Sequence, residues 1–162
     1  MTRRSRTGYF IFFNTALINW LSKTQATSEG SVFGAEFVAM KAGVEALRGI
    51  RYKLRMMGVP LTGPTYVYGD NMSVIYNTSR PELTLKKKRN YICYHAVREA
   101  VASGKCLKTQ CKTGDIYSDM MTKVLYGQKK RDNVSHILYD IWDHEDGARD
   151  SNRLIVFPDC MT

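Results

Sequence analysis

With 162 residues, 44% of them hydrophobic and 24% charged, the chain is long enough to bury one core and is read as a single domain. No apolar run approaches the roughly 20 residues a membrane-spanning helix requires, so the composition excludes such a helix and implies no membrane partner. The formal charge of +9 sits in clusters at Arg3-Arg4-Ser5-Arg6, Lys86-Lys87-Lys88-Arg89 and Lys129-Lys130-Arg131. These either neutralise the phosphates of a polyanion such as nucleic acid or are three solvated loops.

The opening MTRRSRTGYFIFF has a basic start and a short apolar stretch, but it lacks a small-residue cleavage site and is read as a strand, not a signal peptide. Tyr9 to Phe13 is a nearly continuous apolar run, as in a strand buried on both faces. After the turn signal Asn14-Thr15, Ala16 to Leu21 reads as its antiparallel partner. Phe33, Phe37, Met40, Val44, Leu47, Ile50, Leu54 and Met57 then recur at steps of three and four. They form one stripe on a long amphipathic helix from about Ser31 to Met57, with Ser28 and Glu29 suiting its start and Gly58 and Pro60 its end.

Thr65 to Tyr68 is a short strand, followed by a helix from Asn71 to about Thr78 and a basic loop. A third helix spans about Arg89 to Ala102, with Tyr94, Val97 and Val101 on one side. Cys106 to Lys112 is a strand, Asp115 to Leu125 a helix, and Val134, Ile137, Leu138, Ile141 and Trp142 mark a last helix ending near Asp143. The tail from His144 to Thr162 is polar and mixed and receives no assigned structure. Strands alternating with helices predict an α/β domain with a mixed sheet.

Of the four cysteines, Cys106 and Cys111 stand an odd number apart on a strand and face opposite ways. Cys93 and His95 diverge on a helix, and no CxxC pair exists. Free thiols in an intracellular compartment, cytoplasm or nucleus, are the reading, and secretion is not expected. No Ser-His-Asp signature, Walker loop or dinucleotide-binding glycine pattern is present.

Three acids have unusual placements. Glu36 lies beside the apolar stripe of the long helix, Asp70 closes a hydrophobic strand, and Asp119 flanks the apolar Met120, Met121 and Val124. Taken singly, Glu36 and Asp119 could be boundary residues and Asp70 a helix cap. Brought to one sheet edge they would repel unless a divalent cation lay among them, and oxygen ligands suit Mg²⁺ or Mn²⁺.

The segments carrying these acids resemble those of the ribonuclease H region of copia-type retrotransposon polyproteins. Thr2 to Tyr9 is similar to the family's first strand-pairing segment, and Trp20-Leu21-Ser22-Lys23-Thr24-Gln25 to its W-S-S-K-x-Q strand. Ala35-Glu36-Phe37-Val38-Ala39 matches A-E-[YF]-x-A, Tyr68 to Ser73 carries D-N-x-S, Tyr94 to Glu99 matches Y-H-x-x-R-E, and Ser118 to Lys123 matches A-D-x-x-T-K. The resemblance covers about residues 2–130, leaving 131–143 as a C-terminal helix and 144–162 as the tail.

It implies a ribonuclease H-like fold: a five-stranded mixed sheet flanked by helices. It also implies a nuclease that cuts the RNA strand of an RNA–DNA hybrid, an upstream reverse transcriptase domain as a further partner, and four carboxylates holding two divalent ions about 3.5–4 Å apart. Glu36, Asp70 and Asp119 match three of the ligands; Arg3, Arg4, Lys86, Lys87, Lys88 and Arg89 are the expected nucleic-acid contacts. The family places its fourth acid on a central strand before T-R-R-S, and the matching segment would lie upstream of Met1. The resemblance therefore implies a split sheet and an isolated chain without activity, either a disabled nuclease or a non-catalytic nucleic-acid-binding remnant. Arg89-Asn90 replaces the family's K-H pair, and His95 is read as structural or capping.

Overall fold

A computed structural model describes residues 4–14, 16–26, 30–61, 63–69, 71–79, 91–110, 117–135, 137–138 and 154–161. Among the described residues ten elements follow one another: β1 (Arg6–Phe13), β2 (Ala16–Thr24), α1 (Val32–Met56), β3 (Thr65–Gly69), α2 (Met72–Ser79), α3 (Tyr91–Ala102), β4 (Cys106–Gln110), α4 (Asp119–Thr122), α5 (Gly127–Ser135) and β5 (Leu154–Met161). The sheet has five strands in the order β2-β1-β5-β3-β4. β1 is antiparallel to β2 and β5, while β3 is parallel to β5 and β4. This is the mixed α/β sheet with flanking helices that the sequence predicts, and it is consistent with a ribonuclease H-like fold.

The centre of the sheet departs from expectation. The predicted gap is filled: β5, from the stretch to which the sequence assigned no structure, lies between β1 and β3 and pairs with β1 along its whole length. The apolar run Leu154-Ile155-Val156-Phe157 is short, and Pro158 withholds an N–H, so local pattern argues against a central strand. Burial decides the matter, because Ile155 and Val156 are both buried against neighbours far away in sequence.

β1 and β2 form a hairpin whose turn uses Asn14 at φ 54, a left-handed conformation that Asn tolerates. The register slips at Ile11/Phe12, a bulge that lets β2 run on to Thr24. β1 is buried on both faces, so its apolar run needs no alternation.

On one face α1 covers Tyr9, Ile11, Val67 and Val156 with Phe37, Met40, Val44 and Leu47, residues of the predicted stripe. Met57 has run off the core and is exposed. The helix begins at Ser31, whose hydroxyl accepts from Gly34 N at 3.2 Å; Ser28 and Glu29, the predicted start, lie outside the described residues. α3 packs beside α1 through an edge-on contact of Tyr94 with Phe37 and an Arg48–Glu99 ion pair of 3.2 Å. His95 is exposed on α3 with its ring 4.1 Å from that of Tyr91. Phe10, Phe12, Ile155 and Ile137 form a second core on the opposite face, with Tyr117, Met120 and Met121 packed against it. Among the described residues no helix is long and apolar enough to cross a membrane, and Cys106 is a free thiol.

Lys108 on β4 donates to Thr78 Oγ1, and burial pulls its pKa down to about 7, against the raising effect of nearby Cys106. An unfolded Lys titrates near ~10.4, so between about pH 7 and pH 10 the unfolded chain binds the extra proton and stability rises with pH. Lys108→Met is expected to be more stable than the parent by about 1–2 kcal/mol at pH 6, with the margin vanishing by about pH 10. Urea unfolding of both chains at the two pH values checks this; an equal margin at both would rule out the buried ammonium as its source.

Candidate carboxylate site at one end of the sheet

Strand directions select one end of the sheet. β1 begins there, and its antiparallel neighbours β2 and β5 finish there, with Arg6 paired to Thr24 and to Met161. β3, parallel to β5, finishes at the same end with Gly69. In layered α/β folds the carboxyl ends of parallel strands are where ligands bind.

Two junctions attach helices to this end. The first is built on Gln25, which is 4% exposed. Its backbone N–H donates to Ser5 O at 2.8 Å, and its side-chain Nε2 donates to Thr7 Oγ1 and to Ala35 O, each at 2.9 Å. One amide therefore joins the start of β1 to the first turn of α1, and Glu36, half-buried, is the residue after the carbonyl it holds.

The second junction sits on the other face. Gly8 has no side chain because α4 lies on it: a Cβ there would meet Met121 Cβ at 2.6 Å, Thr122 Cγ2 at 2.8 Å and Ser118 O at 3.3 Å. Ser22 Oγ donates to Met121 O at 2.5 Å, tying α4 to β2 as well. α4 carries Asp119, which is 5% exposed, and Lys123 Nζ donates to its Oδ1 at 2.7 Å. A buried carboxylate needs such a partner, because desolvating it unpaired is costly.

Two of the three acids singled out in the sequence thus stand on elements anchored about the first residues of β1. The third, Asp70, follows Gly69 in the sequence and lies outside the described residues. Among the expected nucleic-acid contacts, Arg4 is exposed, whereas Arg3, Lys86, Lys87, Lys88 and Arg89 lie outside the described residues. Arg6 and Lys23 are also exposed at this end, and Lys129, Lys130 and Arg131 are exposed on α5. Sequence reasoning missed the anchoring roles of Gln25, Gly8 and Lys123; only their positions within the quoted motifs hinted at them.

The donor chemistry here is oxygen throughout. Besides the two carboxylates, Gln25 Oε1 and Ser118 Oγ are buried with no hydrogen-bond partner among the described residues. Oxygen donors of this kind are hard ligands, the chemistry that suits Mg²⁺ or Mn²⁺. Among the described residues no three His, Cys, Asp or Glu side chains form a group that could hold a metal ion.

Comparison with known proteins places this geometry in context. Over 121 residues, 75% of its length, the chain is 30% identical to the retrovirus-related Pol polyprotein from transposon RE1 of Arabidopsis thaliana. It is 29% identical over 121 residues to that from transposon RE2 of the same plant, and 29% identical over 124 residues to that from transposon TNT 1-94 of Nicotiana tabacum. The chain spans only 8–9% of the length of these relatives, so it is related to a short segment of each. No protein-family model matches the chain, and no solved structure matches it.

Proposed function

We propose that the chain is a ribonuclease H-type domain of retroelement origin that grips an RNA–DNA hybrid and hydrolyses its RNA strand. The observation that carries this reading is the convergence of the Glu36-bearing first turns of α1 and the Asp119-bearing α4 on the start of β1. The motif series and the similarity to plant-transposon Pol polyproteins support it. Inactivity was expected on two grounds, a missing fourth carboxylate and a sheet without its centre, and β5 removes the second.

In this reading Glu36, Asp70 and Asp119 hold divalent ions, which when bound supply an activated water and stabilise the leaving oxygen. Gln25 fixes the helix turn from which Glu36 projects, and the Gly8 contact fixes the height of α4 over the sheet. Lys123 neutralises Asp119 and must yield some of that contact when a cation enters. Arg4, Arg6 and Lys23 meet backbone phosphates at the rim. That same Lys123 contact favours a second reading, binding without cleavage, in which the internal cation keeps metal out.

The test is a labelled RNA–DNA hybrid with Mg²⁺ or Mn²⁺. Wild-type chain is expected to cut it, with Glu36→Gln and Asp119→Asn losing at least about 100-fold while still binding. Binding is expected to weaken roughly 40-fold between 50 and 200 mM salt if three phosphates are contacted. Salt-sensitive binding without cleavage selects the second reading, and no binding even at low salt removes both.

A further inference from the structure

We infer that Trp20, on the edge strand β2, is a stacking platform for an unpaired nucleobase, so that the chain prefers a hybrid carrying a single-stranded extension. The inference rests on the nucleic-acid reading above and adds to it a contact residue and a feature of the substrate.

Register places the indole. Along the β1–β2 ladder Trp20 pairs with Phe10, and Ser22 pairs with Gly8. Residues directly opposite in an antiparallel pair share a sheet face. Phe10 belongs to the core against which Met120 and Met121 pack, and Gly8 is the residue on which α4 rests. Trp20 therefore lies on the face that carries α4 and Asp119. Ser22, two residues along and about 7 Å away at strand rise, marks where α4 reaches β2, because its hydroxyl donates to Met121 O. Leu17 of the same strand packs against this core, whereas Trp20 is left 59% exposed. β2 ends the described sheet on its side, so no strand of that sheet lies beyond the ring.

The charge around the ring selects its partner. No Asp or Glu occurs before Glu29, while Arg3, Arg4, Arg6 and Lys23 all fall in that stretch, so the hairpin carries cations only. Arg4, Arg6 and Lys23 are exposed, and Arg6, paired with Thr24, shares the α4 face with Trp20. Arg6 and Trp20 thus stand on either side of the Ser22 contact, about 14 Å apart along the hairpin. A polyanion with flat apolar groups matches this surface: phosphates meet the cations, and a base lies on the indole. Such a stack is worth about 1–3 kcal/mol per base and tolerates any sequence. Inside a duplex both faces of each base are covered by its neighbours, so an unpaired nucleotide is what offers an open face.

The experiment reads Trp20 fluorescence in the full chain carrying Trp142→Phe, which leaves it the sole tryptophan. The probes are free oligoadenosine, a blunt RNA–DNA hybrid, and the same hybrid with an oligoadenosine tail at either end of its RNA strand. The tailed hybrids and the free strand should quench Trp20, and the tails should tighten binding at least ~10-fold over the blunt hybrid. Trp20→Ala should erase that preference, and Trp20→Phe should restore most of it. In case a variant does not fold, the wild-type chain is followed by NMR, where the tailed hybrid should shift the Trp20 indole N–H resonance. Equal affinity for tailed and blunt hybrids, or a Trp20 signal that no oligonucleotide moves, overturns the platform; hybrid cleavage that persists then leaves the nuclease reading standing. Quenching by the tails that Trp20→Ala abolishes, without cleavage of any hybrid, keeps the platform and removes the nuclease reading. Self-association lost in Trp20→Ala, with no response to oligonucleotides, assigns the face to a second copy of the chain and overturns the proposal.

Discussion

A chain ending at residue 150 is expected not to fold. β5 is a central strand, so removing it does not trim an edge; it separates the hairpin β1–β2 from the pair β3–β4. β1 loses its ladder to β5 along all eight residues, and β3 loses its partner at Tyr66 and Val67. Ile155 and Val156 are buried on opposite faces, one in each core, and each such side chain contributes roughly 1.5–3 kcal/mol. Their removal would also bare Phe10, Phe12, Ile11 and Val67 and leave backbone donors and acceptors unpaired, at about 1–3 kcal/mol for each that stays buried. Against a total of about 5–15 kcal/mol, the loss exceeds what the remainder can supply. Far-UV circular dichroism and amide-proton exchange decide it: the truncated chain should show no cooperative transition, and adding residues 151–162 as a peptide should restore protection to β1 and β3. Retained protection of Ile11 and Val67 in the truncated chain would show that the sheet stands without its centre.

The same strand shows what the sequence could and could not reveal. α1 is legible because its burial is periodic: Phe37, Met40, Val44 and Leu47 recur at helical spacing and nothing nearby competes. The β1–β2 hairpin is legible because its partners are adjacent in the chain, joined through Asn14. β5 has neither advantage. Its partners are about 150 positions away (Gly8 with Asp159) and nearly 90 away (Val67 with Val156), and a run broken by Pro158 carries no period of its own. The resemblance also directed attention upstream of Met1 for a strand that this chain draws from its other end. Of the candidate site, Glu36 and Asp119 were recognisable as acids beside apolar stripes. The junctions that bring their elements together were not, because Gln25 and Gly8 act through contacts with Ala35 and Met121 that no local pattern encodes.

Gly8→Ala is the substitution in which fold and site should fail together. The added Cβ would stand 2.6 Å from Met121 Cβ, and neither atom can swing away, because each is fixed to its own backbone. α4 must therefore lift from β1, at about 1–3 kcal/mol for an overpacked contact. For a chain of this length that corresponds to a melting temperature lower by about 3–10 °C. Gly49→Ala provides the opposite sign: nothing lies within 4 Å of its Cβ position and it sits inside α1, so alanine should add roughly 0.5–1 kcal/mol through helix propensity. The contact also dictates which second change relieves the first. Met121→Ala keeps the offending Cβ and should rescue nothing, whereas Met121→Gly removes it and should recover part of the loss despite its own cost in the helix. Since α4 carries Asp119, Gly8→Ala should also weaken Mn²⁺ binding although no acid has been altered. Thermal unfolding and Mn²⁺ titration of the single and double variants test the chain of cause. Rescue by Met121→Ala would show that the long side chain and not the backbone approach sets the height of α4, and Gly8→Ala with unchanged stability would show that α4 does not depend on this contact at all.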